Sequence, residues 1–253
     1  MEKLLVQAYE RFGDNICVAG ALAQLKDVDL IVATSREFGD AFTNVPNIKK
    51  IIYTNNKDEL DSYAREGYKI LNCTMGEIPT YTSRLDFRMV YHFEKNGHKY
   101  LQPSAGFWPT KEESDWANAF SAKLTGKKIL GVETGFTSNQ SFVCQLHADH
   151  IVQKFKDKYH IVWLCNKNYP DKSNHIIRLD DAGRRNICAL MPKLDLFIST
   201  FSGYFWASRG QGKKNIPKTY CLVLQRQQLW MPMHNNTIVL PEQFHNWIDN
   251  CND

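Results

Sequence analysis

The sequence predicts an α/β protein built from two doubly wound halves, and three observations carry that prediction. Short apolar runs alternate with helix-patterned segments, the signature of parallel strands covered by helices. The alternation breaks between residues 75 and 109, a stretch that holds Pro79, Pro103 and Pro109 among many aromatics. It then starts afresh at Thr110, where Glu113 three positions on completes a capping box for a new helix. A chain of 253 residues suits two units of roughly 100–130 residues each.

Taken in order, residues 4–8 read as a first strand, 11–14 as a loop and 16–25 as a helix. Strands follow at 30–34 and 48–53, then a charged-faced helix at 57–66 and a strand at 68–73. The expected order of this half is β-α-β-α-β-α-β. The irregular stretch carries a helix around 85–95, and loops of such length in a compact domain are usually functional or mobile. The second half reads as a helix at 111–124 and strands at 129–133, 160–165, 196–200 and 219–224. Helices lie between them at 142–156, 184–194 and 203–209, and a last helix is read at 241–251. The expected domains are thus 1–109 and 110–240, with a C-terminal helix at 241–253. A cleft is expected between the halves, where strand C-termini and helix N-termini meet.

A composition of 43% hydrophobic and 23% charged residues is that of a globular protein and argues against disorder. The net charge of +4 suits an anionic partner such as a sugar diphosphate and is too weak to argue for nucleic acid by itself. Cys17, Cys73, Cys144, Cys165, Cys188, Cys221 and Cys251 are scattered without a C-x-x-C pair, which reads as reduced thiols of a cytosol. Residues 1–10 are too short and too polar a stretch for a signal peptide. No apolar run approaches the about 20 residues that span a bilayer. The expected location is cytoplasmic.

The most informative local pattern is Arg11-Phe12-Gly13-Asp14, a tight turn from the first strand into a helix. Gly13 is read there as supplying a backbone conformation closed to other residues. Asp14 stands at the helix start, where the positive end of the dipole favours its ionised form. A carboxylate so placed can take a proton from an attacking hydroxyl, or simply cap the helix. In the second half, a strand at 196–200 runs into Ser202-Gly203 at the start of a helix. Such a turn either offers backbone N–H groups to a diphosphate or is an ordinary cap.

Other patterns carry less. Asp27-Val28-Asp29 has the D-x-D spacing of metal-dependent transferases but sits before a strand, where Asp is a common turn residue. His147 and His150 share a helical face with no further ligand cluster beside them in sequence. The run from Gly210 to Lys214 lacks the ending of a phosphate loop, although Arg209, Lys213 and Lys214 can attract phosphate. Residues 81–108 interleave Arg84, Arg88, Lys95 and Lys99 with Tyr91, His92, Phe93, Tyr100, Phe107 and Trp108. That mixture suits a sugar or an unstacked base, and equally a core beneath a long loop.

Arg11-x-Gly-Asp followed by the small residues Ala19, Gly20, Ala21 and Ala23 resembles the start of the ADP-heptose:lipopolysaccharide heptosyltransferases, glycosyltransferase family 9. Residues 29–34 and 44–52 resemble that family's second and third strands and the turn between them. Residues 131–142 resemble its loop after the first strand of the second domain. Residues 194–203 and 217–223 resemble its strand, Asp-Ser-Gly turn and donor-binding helix. Phe201 stands where the family usually has Asp, Trp206 where it has His, and residues 131–142 lack the Lys expected to neutralise phosphate.

The resemblance implies a GT-B fold, two Rossmann-like domains facing a cleft. It implies an inverting, metal-independent glycosyltransferase, without cofactor, that moves a sugar from a nucleotide-sugar to an acceptor hydroxyl of a bacterial glycan. Asp14 maps onto the catalytic base. Glu133, Thr134, Thr137, Thr200, Ser202, Gly203 and Tyr204 fall on the donor side, and Arg11, Arg84, Arg88 and Trp108 on the acceptor side. Two rivals remain. One is a phage-type enzyme that glycosylates a hydroxymethylated DNA base, which would have to be flipped out of the duplex. The other is a non-catalytic nucleotide-sugar-binding or scaffold protein. A dehydrogenase is disfavoured, since no G-x-G-x-x-G follows a strand.

Overall fold

The structure, a computed structural model, describes residues 1–73, 85–134, 142–164, 174–179, 181–200, 202–210, 216–224 and 236–251, without the side chains of residues 85, 87 and 88. The chain divides into two compact units. Unit 1 is Met1–Pro109 with Arg209–Gln211, and unit 2 is Thr110–Ser208 with Gly212–Asp253.

Unit 1 runs β1 (Glu2–Ala8), α1 (Phe12–Leu22), β2 (Val28–Thr34), a 3-10 turn (Gly39–Phe42), β3 (Ile48–Ile52), α2 (Lys57–Arg65), β4 (Lys69–Asn72) and α3 (Leu85–Lys95). Its four strands form a parallel sheet in the order β3-β2-β1-β4. In β1 three consecutive residues, Leu4, Leu5 and Val6, are fully buried. Only a central strand covered on both faces hides neighbours in this way. The helix implied between β2 and β3 is not formed. Ser35 O accepts the Gly39 N–H at 2.9 Å, and Asn44 and Asn47 then adopt left-handed φ of 63° and 73°. A left-handed residue cannot continue a right-handed helix.

α1 begins at Phe12, so Gly13 and Asp14 both lie in its first turn. Gly13 is therefore helical and not among the residues of positive φ, a correction to the conformational role expected of it. The helix is buried along almost its whole length, because the segment that follows α3 crosses its outer side. Gln24 fastens that segment. Its Nε2 donates to Gln102 O at 2.9 Å and Ser104 Oγ at 3.0 Å, and its Oε1 accepts the Gln102 N–H at 2.9 Å. Gly106 N donates to Ile16 O at 2.9 Å.

Unit 2 runs α4 (Lys111–Ala122), β5 (Lys128–Val132), α5 (Gln145–Phe155), β6 (Tyr159–Trp163), β7 (Ile176–Arg178), α6 (Arg184–Leu190), β8 (Leu196–Ser199), α7 (Gly203–Arg209), β9 (Lys218–Leu222), β10 (Asn236–Val239) and α8 (Phe244–Asn250). β7 and β10 add two strands to the four expected. All six are parallel, in the order β10-β9-β8-β5-β6-β7. Numbered from β5 this is 3-2-1-4-5-6, the Rossmann order, which reverses direction between β5 and β8. The core on one face gathers Ile151, Phe155, Trp163, Leu196 and Phe244.

The capping box forms as expected. Thr110 Oγ1 accepts the Glu113 N–H at 3.3 Å and Glu113 Oε2 accepts the Thr110 N–H at 2.8 Å. The same carboxylate takes two bonds from the Arg185 guanidinium, at 2.6 and 2.8 Å, tying α6 to the start of α4. Among the described residues no helix is long and apolar enough to cross a membrane. None of the six described cysteines forms a disulfide, and all but Cys144 are buried.

The crossing over α1 depends on Gly20. A Cβ there would stand 2.4 Å from Ser104 O and 2.7 Å from the Ala105 carbonyl carbon, both backbone atoms. Gly20→Ala is expected to destabilise the chain by about 1–3 kcal/mol through overpacking, although alanine is the better helix former. Chemical denaturation of the two proteins measures the difference.

Candidate functional site

Parallel α/β sheets bind ligands outside the carboxyl ends of their strands, where the strand order reverses. In unit 2 that point lies between β5 and β8. Glu133 follows β5 directly, and its N–H donates to Ile198 O of β8 at 2.9 Å. Its carboxyl is 1% exposed. Ser199 Oγ and Thr200 Oγ1 each lie 3.1 Å from Glu133 Oε2, and the Thr200 N–H is 3.4 Å from it. The Ser202 hydroxyl also bonds to this carboxyl. Burial raises Glu133 to about 7, against the hydroxyl and N–H bonds, which pull it down.

The carboxyl thus fixes the turn that leads into α7. Ser202 N donates to Thr200 O at 2.9 Å, and Ser202 Oγ accepts the Phe205 N–H at 3.3 Å. Thr134, Ser202, Gly203 and Tyr204 are half-buried, whereas Thr200 is fully enclosed. Of the residues expected on the donor side, Glu133, Thr200 and Ser202 are brought into one hydrogen-bonded group, with Thr134, Gly203 and Tyr204 adjacent in the chain. Thr137 lies outside the described residues. Ser199 is the member of the group that sequence reasoning missed, because it reads as one more residue of an apolar strand.

In unit 1 the order reverses between β1 and β4, and the segment after β1 carries Arg11 and Asp14. Arg11 is the N-cap of α1 and its side chain is exposed. Asp14 sits in the first turn, partly exposed, and accepts bonds from the Arg11 N–H and from its own N–H. It therefore caps the helix. Burial, and next the charge of Glu10, raise its carboxyl to about 7 against these bonds and the Arg11 guanidinium. A group titrating there is divided between base and acid near neutral pH. Asn15 beside it is fully buried, with Nδ2 donating to Phe38 O at 3.3 Å.

Trp108 is half-buried, and a Cβ added at Gly106 would meet its ring at 2.3 Å, so the indole lies against its own segment. Arg84 and the side chain of Arg88 lie outside the described residues, as do Lys213 and Lys214. Within the basic-aromatic stretch, His92, Phe93 and Phe107 are core, whereas Tyr100 is exposed. Asp27 adopts a left-handed φ of 56°. Asp29 bonds Lys49 Nζ and Tyr68 Oη, both at 3.0 Å, so the D-x-D pair is a turn residue and an ion-pair partner. His147 and His150 of α5 meet His245 of α8 around Phe244. Even so, no three His, Cys, Asp or Glu among the described residues are placed to hold a metal ion.

No protein-family model matches the sequence, and no curated protein matches it. Its fold is similar to solved glycosyltransferases of GT-B architecture. A glycosyl transferase family 9 protein from Veillonella parvula superposes with a TM-score of 0.74 at 12% identity, over 98% of this chain and 88% of that one. The ADP-heptose LPS heptosyltransferase II of E. coli gives 0.65 at 8% identity, over 94% and 90%. An E. coli heptosyltransferase with ADP gives 0.64 at 8%, over 94% and 90%. The likeness is one of fold.

The raised Glu133 carboxyl makes a testable demand. Its folded value of about 7 lies above its unfolded value, so the native state holds a proton that the unfolded state releases between roughly pH 4.5 and 7. The resulting stability is full below that window and is lost as pH rises through it. From pH 5 to pH 8 the parent is expected to lose on the order of 3 kcal/mol that Glu133→Gln does not lose. Paired thermal melts at the two pH values measure it.

Proposed function

We propose that the protein is a glycosyltransferase, in which unit 2 holds a nucleotide-sugar and unit 1 holds the acceptor. The observation that supports this most is a carboxyl group beyond the carboxyl end of each parallel sheet at its reversal point, Asp14 after β1 and Glu133 after β5, with burial raising both. The two carboxyls differ in access, and that separates their roles. Asp14 is partly exposed and can meet a substrate hydroxyl. Glu133 is enclosed and acts by holding Thr200 and Ser202 in place.

The transfer follows from these roles. Asp14, ionised, takes the proton of the acceptor hydroxyl as its oxygen attacks the anomeric carbon of the donor sugar. The bond from that carbon to the diphosphate oxygen breaks from the opposite face, and the nucleoside diphosphate leaves with the electron pair. Configuration inverts in one step. The turn at Ser202 and Gly203, with Thr134 and Tyr204, offers hydroxyl and N–H groups to the departing charge. No metal is required, since positioning and preorganised dipoles lower the barrier. The fold likeness to heptosyltransferases supports a bacterial glycan as the acceptor.

Asp14→Asn is expected to lower transfer by about 100-fold or more while leaving nucleotide-sugar affinity within about twofold, as measured by nucleoside diphosphate release and donor titration. In the parent, kcat/KM should fall about tenfold per pH unit below 7, as the base becomes protonated. Undiminished turnover by Asp14→Asn would remove the proposed base. Donor binding without transfer to any glycan or hydroxymethylated DNA would make the protein a binding or scaffold module.

A further inference from the structure

In unit 2, α8 packs against α5 around an aromatic side chain flanked by imidazoles. Phe244, the first residue of α8, is fully buried in a core it shares with Ile151 and Phe155 of α5. Its ring centroid lies 4.4 Å from that of His147, 5.7 Å from His245 and 6.5 Å from His150. The imidazoles also neighbour one another. His245 of α8 stands 6.3 Å from His147 and 5.7 Å from His150, both of α5. A groove of about 320 Å³ beside them is lined from both helices, by His150 and Lys154 and by His245 and Asp249.

A backbone donor fixes the state of His147. The Cys144 N–H donates to His147 Nδ1 at 3.1 Å, at the start of α5. A main-chain N–H cannot accept, so Nδ1 carries a lone pair and the ring is neutral. Protonation puts a hydrogen on that nitrogen and takes the acceptor from an N–H at the helix start, where such groups need partners. It also sets a positive charge beside two rings that gain the same sign. Burial, then the charges of His245 and His150, hold His147 below the ordinary histidine range, against its bond to the Phe142 backbone.

The other charged and titratable groups of the elements packed there are engaged or exposed. On α5, Asp149 Oδ1 accepts from Gln145 Nε2 at 3.2 Å, and Lys154 Nζ donates to Asp249 O at 2.9 Å. Glu242 and Asp249 are exposed, where water and salt screen them. The Cys144 thiol, 3.3 Å from His147 Nδ1, and the phenols of Tyr159 of β6 and Tyr220 of β9 are neutral in acid. We propose that α5 and α8 form an acid-sensitive latch, in which protonation of His147, His150 and His245 breaks the cap of α5, sets like charges against one another and frees α8 from unit 2. Release exposes Phe244, Ile248 and Cys251, all buried while the latch is closed. Because the closed state binds the His147 proton less well than an exposed ring does, the latch holds fully above the ordinary value of about 6.5 and weakens as pH falls through the lowered one. The latch belongs to unit 2 alone and stands apart from the transferase reading.

Hydrogen exchange of the full chain at pH 7.5 and pH 5.0, read by mass spectrometry and corrected for the intrinsic pH dependence of exchange, tests it. Residues 241–251 should lose protection by about tenfold or more at pH 5.0, while β5 and β6 keep theirs. The triple variant His147→Gln, His150→Gln and His245→Gln should keep residues 241–251 protected at both pH values, since glutamine at 147 can still accept the Cys144 N–H. Equal protection of residues 241–251 in the parent at the two pH values overturns the proposal. So does a loss shared in step by β5 and β6, which is general acid unfolding, or a loss that persists in the triple variant. Should the triple variant not fold, His245→Gln alone, at an exposed position, keeps the test. Its His147 ring should titrate at higher pH than in the parent by NMR, and an unmoved midpoint overturns the latch.

Discussion

A carboxyl group on a residue with 1% exposure is unfavourable in any fold unless its surroundings answer it, and Glu133 is answered by hydroxyls and an N–H. Two hydroxyls and a backbone N–H from the end of β8 converge on one of its oxygens, joined by Ser202 from the turn beyond. The interaction extends the β5–β8 pairing past the ends of both strands, where the strand order reverses. It also ties down the turn into α7. Had Glu133 been apolar, the enclosed Thr200 hydroxyl would lose this acceptor, whereas Ser199 could still donate to Thr200 O. The architecture of unit 2 and the shape of its binding end share this single constraint.

Unit 1 meets the same problem by other means. Its edge is held by side-chain-to-backbone bonds between neighbouring segments, Tyr9 to Thr54 and Asn15 to Phe38. Behind the edge, Gln24 and the bare face of Gly20 seat residues 101–108 across α1. Asp14 accepts bonds from the first turn of α1 and is partly exposed, so the two roles weighed for it in sequence are compatible. Burial, and next Glu10, raise its carboxyl to about 7 although the bonds to the first turn pull it down.

Much of this was legible in the residues. Long apolar strands such as those at 4–8 and 196–200, and the Thr110–Glu113 capping box, announce themselves by composition and spacing. β7 and β10 do not. The first is three residues long, too short to show a period, and the second opens on polar Asn236 and Thr237. The helix implied between β2 and β3 fails for a local reason, the left-handed Asn44 and Asn47, which no apolar pattern reveals. At the sites the limit is different. Sequence placed Asp14, Glu133, Thr200 and Ser202 near strand ends, yet gave no sign that Glu133 is sealed and bonded. The Arg36 guanidinium lies over the Tyr53 ring, which itself packs on Gly39, a contact between segments that only the fold brings together.

Whether unit 2 takes a nucleotide-sugar decides the proposed function most directly. A thermal-shift panel of uridine, adenosine, guanosine and cytidine nucleotides, as diphosphates and sugar conjugates with the cytidine monophosphate form included, tests this without knowledge of the acceptor. Ligand bound to the folded state raises the melting temperature by mass action, by the equivalent of about 2.7 kcal/mol at one hundred times Kd. The account predicts a clear rise with one base type, larger for the sugar conjugate or equal to it. An unchanged melting temperature across the whole panel at millimolar concentration would contradict it, leaving a transferase fold without a donor.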